Sequence, residues 1–334
     1  MNEPYDQCPI QNVRASWLLR RGAQFSGTMM LFLILFSQTI MVVLGLILMF
    51  TGVISSDAFS QQQFGMGNTA YLLLYLAVYV MAMGLPMLFS ACIFKPTFTP
   101  LDYKQKVGGG LFCACGGMGL CVCAFSNFAA GIWASFFQQF GLKAPTMPSL
   151  MENTVLSVVL NVVIFAVLPA LLEEFVFRGY VLGALRPYGT TFAVVTSALL
   201  FGLMHCNLTQ FPFAVLLGLV FGYFTVKLNN IWVACVVHAI NNAMAVLLND
   251  LLPYYLSSER HQSLVIAGVF GVYVVVGLLA AAILFSKRHP LFFASREAPQ
   301  LPLAERIKLC YGAPTMLIAI LLFVILTVVS ALGG

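Results

Sequence analysis

Residues 154–186 form one apolar run with the sequence TVLSVVLNVVIFAVLPALLEEFVFRGYVLGALR. About 20 apolar residues are enough for a helix to cross the hydrocarbon core of a bilayer, so this run predicts a transmembrane helix. Pro169 lies inside it, and we expect a kink there because proline has no backbone N–H to donate. Two adjacent acidic residues, Glu173 and Glu174, lie deep in the run, where charge is costly.

The rest of the chain is similarly apolar. Of its 334 residues, 61% are hydrophobic and 8% are charged, and the mean hydropathy is +0.96. Soluble domains are about one quarter charged, so this composition excludes a soluble enzyme, a nucleic-acid-binding protein and a disordered chain. We therefore predict a multi-pass protein of the cell membrane, surrounded by the lipid bilayer and with no nucleic-acid partner.

Nine apolar runs are long enough to suggest spans, although the fifth is short. We predict an all-α, polytopic transmembrane helical bundle of about nine helices, with eight also possible. The segment 286–310 is predicted to be a polar cytoplasmic loop. The runs cover residues 26–50, 70–94, 110–138, 154–186, 190–206, 209–227, 231–249, 262–285 and 311–331.

The basic residues predict a cytoplasmic N-terminus, because Lys and Arg concentrate in cytoplasmic loops. This orientation leaves only Lys143 and Arg260 of the 16 basic residues outside. Nine helices would then put the C-terminus outside. The first apolar run is too long for a cleaved signal peptide, so we predict that it is a transmembrane helix. The other fourteen basic residues are Arg14, Arg20, Arg21, Lys95, Lys104, Lys106, Arg178, Arg186, Lys227, Lys287, Arg288, Arg296, Arg306 and Lys308.

Four cysteines of the third run, Cys113, Cys115, Cys121 and Cys123, are interspersed with glycines. Their spacing matches neither CxxC nor the usual zinc pattern. Small residues let transmembrane helices approach closely, so we favour helix packing over metal binding for this cluster.

Ionisable residues inside apolar runs are candidates for function. Glu174 and Arg178 are four residues apart with the acid first, which favours an ion pair along a helix. Glu173 lies about 100° around the same helix, without such a partner. His205 and His238 also lie in apolar runs, where a lone histidine is more often a hydrogen-bonded packing residue; two of them beside a glutamate pair favour function.

Turn positions predict the depth of these groups. Glu173 lies sixteen residues before Gly189 and His205 sixteen after it, so both should lie about 20–24 Å from that turn at 1.5 Å per residue. A second turn is expected near Asn229 and Asn230. Measured from there, Asn242 at about 18 Å fits the depth of the glutamates better than His238 at about 12 Å.

A carboxylate beside an imidazole in an apolar bundle suits hydrolysis, since it can take a proton from water. The second imidazole and Asn242, which shares a helix face with His238, could donate hydrogen bonds to an oxyanion. The same side chains could instead hold a metal ion. The protease motifs HExxH and GxSxG are absent from the sequence.

Three motifs in this order resemble the CPBP family of CAAX proteases and bacteriocin-processing enzymes, also called the Abi family. They are EExxxR at 173–178, FxxxH at 201–205 and HxxxN at 238–242. The resemblance implies an intramembrane endopeptidase similar to the type II CAAX prenyl protease. Residues 150–249, with helices four to seven, would be the catalytic core. Residues 1–149, with helices one to three, and residues 250–334, with helices eight and nine, would flank it.

The resemblance also implies a role for each motif residue. Glu173 would be the general base that activates water together with His205, and Glu174 would assist or orient, held by Arg178. His238 and Asn242 would form the oxyanion site. Phe201, the first residue of FxxxH, would have a structural or orienting role.

We favour a mechanism without a required cofactor, since no cysteine or third histidine completes a zinc set. A divalent metal such as zinc is the alternative, held by Glu173, His205 and His238. The expected substrate is a membrane-associated protein or peptide, which could carry a lipid. Two other functions remain open, namely a membrane transporter or proton-coupled carrier, and a non-catalytic adaptor or immunity protein. The Glu-Glu element has no second copy, which argues against a transporter built from inverted repeats.

Overall fold

The computed structural model describes residues 9–96, 105–142, 149–289 and 301–332, and in these ranges the chain is helical with no β-strand. The predicted all-α fold is confirmed. The helices are α1 (Pro9–Phe50), α2 (Ser56–Phe59), α3 (Asn68–Phe94), α4 (Gly109–Gln138), α5 (Val155–Tyr188), α6 (Thr190–Met204), α7 (Phe211–Leu228), α8 (Trp232–Tyr255), α9 (Glu259–Ser286), α10 (Leu303–Tyr311) and α11 (Pro314–Leu332).

Eight of the described helices are long and apolar enough to cross a membrane: α1, α3, α4, α5, α7, α8, α9 and α11. The short fifth run forms α6, an apolar helix below the length of a full span. Each of the nine predicted runs therefore corresponds to a helix. The polytopic bundle and its location in a membrane are confirmed.

Two helices differ from the prediction near the ends of the bundle. α1 begins at Pro9, well before the predicted run, and α10 lies in the segment 286–310 that was predicted to be a loop. The prediction of a loop is wrong at α10. This helix is too polar to be found from hydropathy, and it is stabilised by its contacts with α1. Ser16 Oγ of α1 donates a hydrogen bond to Glu305 Oε1 of α10 at 3.0 Å.

Segments predicted to be cytoplasmic meet at one end of the bundle. Arg21 Nη2 of α1 donates to the carbonyl oxygen of Phe94 at 3.0 Å, and Arg306 Nη1 of α10 donates to that of Tyr188 at 2.8 Å. This arrangement agrees with the predicted topology, while the orientation across the bilayer stays a prediction. Three of the basic residues assigned above, Lys104, Lys143 and Arg296, lie outside the described residues.

Helix α5 is irregular rather than interrupted at Pro169. A π-helical segment, Val163–Val167, precedes the proline, and a second, Phe175–Val181, follows the glutamates. Backbone polar groups need partners inside a bilayer, and a neighbouring helix supplies one here. Ser197 Oγ of α6 donates to the carbonyl oxygen of Phe177 at 2.7 Å.

Small residues bring α4 and α9 together. A Cβ atom added to Gly277 of α9 would lie 2.5 Å from the carbonyl oxygen of Gly117 and would overlap the Cβ of Cys121. The predicted packing role is confirmed for Gly117, Gly119 and Cys121. In contrast, a Cβ atom added to Gly116 would meet nothing within 4 Å, and Cys113 is exposed.

Two tight turns set the register of the helices around the site. Gly189, between α5 and α6, has φ 128, a conformation that side chains disfavour. Asn229, between α7 and α8, has the left-handed φ of 46, which asparagine tolerates better than most residues. Both predicted turns are confirmed, and they bring α5, α6, α7 and α8 together around one cavity.

Candidate active site

A cavity of about 350 Å³ lies between α3, α5, α6, α7 and α8. Four of the five predicted catalytic residues line it, and Phe201 lines it as well. The fifth, Glu174, is fully buried beside it. The four are Glu173, His205, His238 and Asn242.

Glu174 and Arg178 form the predicted ion pair. Arg178 Nη1 donates to Glu174 Oε1 at 3.0 Å, and both side chains are 0% exposed. The guanidinium carbon lies 4.4 Å from the ring centre of Phe201 and 5.4 Å from that of Phe221. The two aromatic faces thus attract the cation where it has no water. This gives Phe201 a structural contact, as its place in the motif suggested.

His238 touches both glutamates. Its Nδ1 lies 2.9 Å from Glu174 Oε1, and its Nε2 lies 3.8 Å from Glu173 Oε2. An ionised carboxylate only accepts hydrogen bonds, so Nδ1 carries a proton that it donates to Glu174. The other nitrogen then points to Glu173 and the cavity.

The structure brings His238 into contact with both glutamates, although its estimated distance from the turn at Asn229 and Asn230 is shorter than theirs from Gly189. The estimate assumed an α-helical rise along α5. However, the π-helical segment Phe175–Val181 lies between the glutamates and the turn at Gly189. Its wider i→i+5 loops hold more residues in each turn, which shortens α5 slightly between the glutamates and the turn and accounts for a small part of the difference.

His205 follows the last residue of α6 and is fixed through one ring nitrogen. Its Nδ1 lies 2.8 Å from the carbonyl oxygen of Phe201. A carbonyl oxygen only accepts, so Nδ1 donates, and Nε2 of the neutral ring has a lone pair. The ring of Phe201 packs edge-on against the imidazole at 5.0 Å between centres.

One residue of the site, Tyr79 of α3, was not found from the sequence. Its hydroxyl donates to Glu173 Oε1 at 2.8 Å. The sequence does contain a signal, since Tyr71, Tyr75 and Tyr79 repeat every four residues and so share one face of an apolar helix. Tyr75 lines the same cavity.

The amide of Asn242 is oriented by its neighbour in the chain. Asn241 Nδ2 donates to Asn242 Oδ1 at 3.3 Å, and Asn127 Nδ2 of α4 donates to Asn241 Oδ1 at 3.4 Å. Because its oxygen already accepts a hydrogen bond, Asn242 has its NH₂ group to offer to a ligand in the cavity.

The residues suggested for a metal do not fit one. Across the described ranges, no group of three or more His, Cys, Asp or Glu side chains is placed so that it could hold a metal ion. This applies to the set Glu173, His205 and His238.

Comparisons with known proteins agree with the motifs. The model of the family described as "Type II CAAX prenyl endopeptidase Rce1-like" matches residues 155–244. A curated relative from Bacillus subtilis (strain 168), "Putative membrane peptidase YdiL", is 26% identical over 172 residues, which are 50% of this chain and 68% of that protein. No solved structure matches the chain at a significant level. The resemblance to the CPBP family is confirmed, and it supports an intramembrane protease at the level of the family.

The buried ion pair generates a prediction for stability. Replacing Arg178 by Met leaves Glu174 without its cation, and we expect a loss of about 3–5 kcal/mol in the free energy of unfolding. Thermal unfolding of the purified protein in detergent measures this. The double variant Glu174→Gln with Arg178→Met has no unpaired carboxylate and should recover much of the loss. If Arg178→Met alone were as stable as the wild type, this would contradict the assignment of a buried ion pair between Glu174 and Arg178.

Proposed function

We propose that the chain is an intramembrane endopeptidase that hydrolyses a peptide bond of a membrane-associated protein or peptide. One observation carries this proposal. A carboxylate, two imidazoles and a carboxamide, from Glu173, His205, His238 and Asn242, line one cavity inside an apolar bundle. A cavity with several convergent polar groups is the usual form of a binding or active site. A non-catalytic adaptor would not need these groups to converge.

Glu173 and His205 would activate the water. The lone pair of His205 Nε2 can accept one hydrogen bond from a water molecule, and Glu173 Oε2 can take its proton. The resulting hydroxide forms a bond to the carbonyl carbon of the substrate. Glu173 then passes the proton to the amide nitrogen as the C–N bond breaks, so that one water is consumed and an acid and an amine are released.

His238 and Asn242 would stabilise the oxyanion of the tetrahedral intermediate. Asn242 can donate through its NH₂ group, because its oxygen is engaged by Asn241. His238 can donate through Nε2 when it is an imidazolium, with Nδ1 bonded to Glu174. Donors held in place before the reaction are most effective where water is excluded.

The substrate would reach this site from the membrane. Four of the five helices around the cavity are long and apolar enough to span a bilayer, and the matched family is described as a type II CAAX prenyl endopeptidase. A peptide or protein at the membrane, with or without an attached lipid, is the class we propose. A comparison of peptide termini in cells that carry wild-type protein or Glu173→Gln would identify it.

Replacement of Glu173 by Gln, or of His205 by Ala, should lower cleavage by 10²-fold or more, the contribution typical of a general base. The measurement is turnover of the identified substrate by purified protein in liposomes. Glu259→Gln, which changes an exposed acid, should leave turnover unchanged. Full cleavage by Glu173→Gln would exclude the mechanism, and substrate-dependent proton flux without cleavage would favour a carrier.

Chelation tests the need for a metal. Because the mechanism uses only side chains of the protein, EDTA and 1,10-phenanthroline should leave turnover within about twofold of the untreated enzyme, a change well below one general-base contribution. A loss of turnover that added zinc restores would overturn the metal-free mechanism.

A substitution at Asn241 tests Asn242 as the oxyanion donor without replacing Asn242 itself. An aspartate at 241 accepts hydrogen bonds, so Asn242 should turn its NH₂ group towards it and lose the donor that faces the cavity. We expect Asn241→Asp to lower kcat by about 10²–10³-fold with KM little changed, as for loss of an oxyanion donor. Asn249→Asp, at an exposed position of the same helix, is the matched control, and equal kcat values in both variants would contradict the role.

A further inference from the structure

The hydroxyl of Tyr79 distinguishes the two oxygens of Glu173. It donates to Oε1 at 2.8 Å, whereas Oε2 has no hydrogen-bond partner among the described residues and lies 3.8 Å from His238 Nε2. A hydrogen bond to a charged carboxylate is short and strong. One oxygen is therefore anchored and the other is left for the reaction.

The phenol is itself held in place. The ring of Tyr79 stacks on that of Tyr75, with 6.3 Å between the ring centres and 22° between the planes. The ring of Tyr75 in turn packs against that of Phe165 of α5, with 5.5 Å between the ring centres. The tyrosine face of α3 thus packs against the helix that carries Glu173. The direction of the hydroxyl follows from this packing.

We propose that Tyr79 is a positioning residue for Glu173, which orients the carboxylate so that Oε2 receives the proton from water. The inference rests on the proposed function and extends it to a helix outside residues 155–244, the part matched by the family model. The active site of this chain is then completed by α3. A displacement of about 1 Å in a catalytic group costs on the order of 10²-fold in rate, so loss of this anchor should be visible in turnover.

Tyr79→Phe removes the hydroxyl and keeps the ring. In the full-length protein in liposomes, with the peptide substrate identified from the comparison of termini, we expect kcat to fall by about 10–100-fold and KM to stay within about twofold. The matched control is Tyr71→Phe, which removes a hydroxyl from the same face of α3 but not from a residue that lines the cavity, and it should keep full kcat. The melting temperature of each variant is measured alongside.

A double-mutant cycle tests whether Tyr79 acts through Glu173. Glu173→Asp shortens the side chain and breaks the same contact, so Tyr79→Phe should cost much less in that background than in the wild type. Equal losses in both backgrounds would overturn the positioning role. So would full kcat in Tyr79→Phe while Glu173→Gln is inactive. If Glu173→Gln itself keeps its turnover, the proposed function fails before the role of Tyr79 is reached.

Discussion

A carboxylate and a guanidinium without any contact with water can be kept in an apolar bundle only if they neutralise each other. Glu174 and Arg178 meet this constraint with a contact of 3.0 Å, and the surrounding groups depend on it. Phe201 and Phe221 cover the guanidinium, and His238 binds the carboxylate. The pair itself lies within α5, and its contacts with Phe201, Phe221 and His238 join α5 to α6, α7 and α8.

The two adjacent glutamates have different surroundings because an α-helix turns by about 100° from one residue to the next. Glu174 faces the ion pair and is closed off, whereas Glu173 faces the cavity and the phenol of Tyr79. Neighbouring carboxylates in unlike environments are a common way for an enzyme to separate an orienting group from a reacting one. His238 bridges the two environments, with one nitrogen towards each glutamate.

Features that depend on residues close together in the chain were predicted from the sequence. The spans follow from apolar runs, the turn at Gly189 from its residue type, and the Glu174–Arg178 pair from a spacing of four. Features that depend on other helices were missed. The Tyr79–Glu173 contact joins residues 94 positions apart, and the polar helix α10 depends on contacts with α1. Hydropathy also does not reveal the π-helical segment Phe175–Val181. The division of the chain at 149 and 249 stays a prediction, and Tyr79 shows that the flanking part reaches the cavity.

The π-helical segment Phe175–Val181 also limits how such a chain can diverge. Surface loops gain or lose residues at small cost, because loop closure depends weakly on length. Between the glutamates and Gly189, one residue more or less would rotate Glu173 by about 100° relative to the turn if the stretch were a regular α-helix. A change of length in this stretch would therefore keep Glu173 in the cavity only if the π-helical segment changed with it.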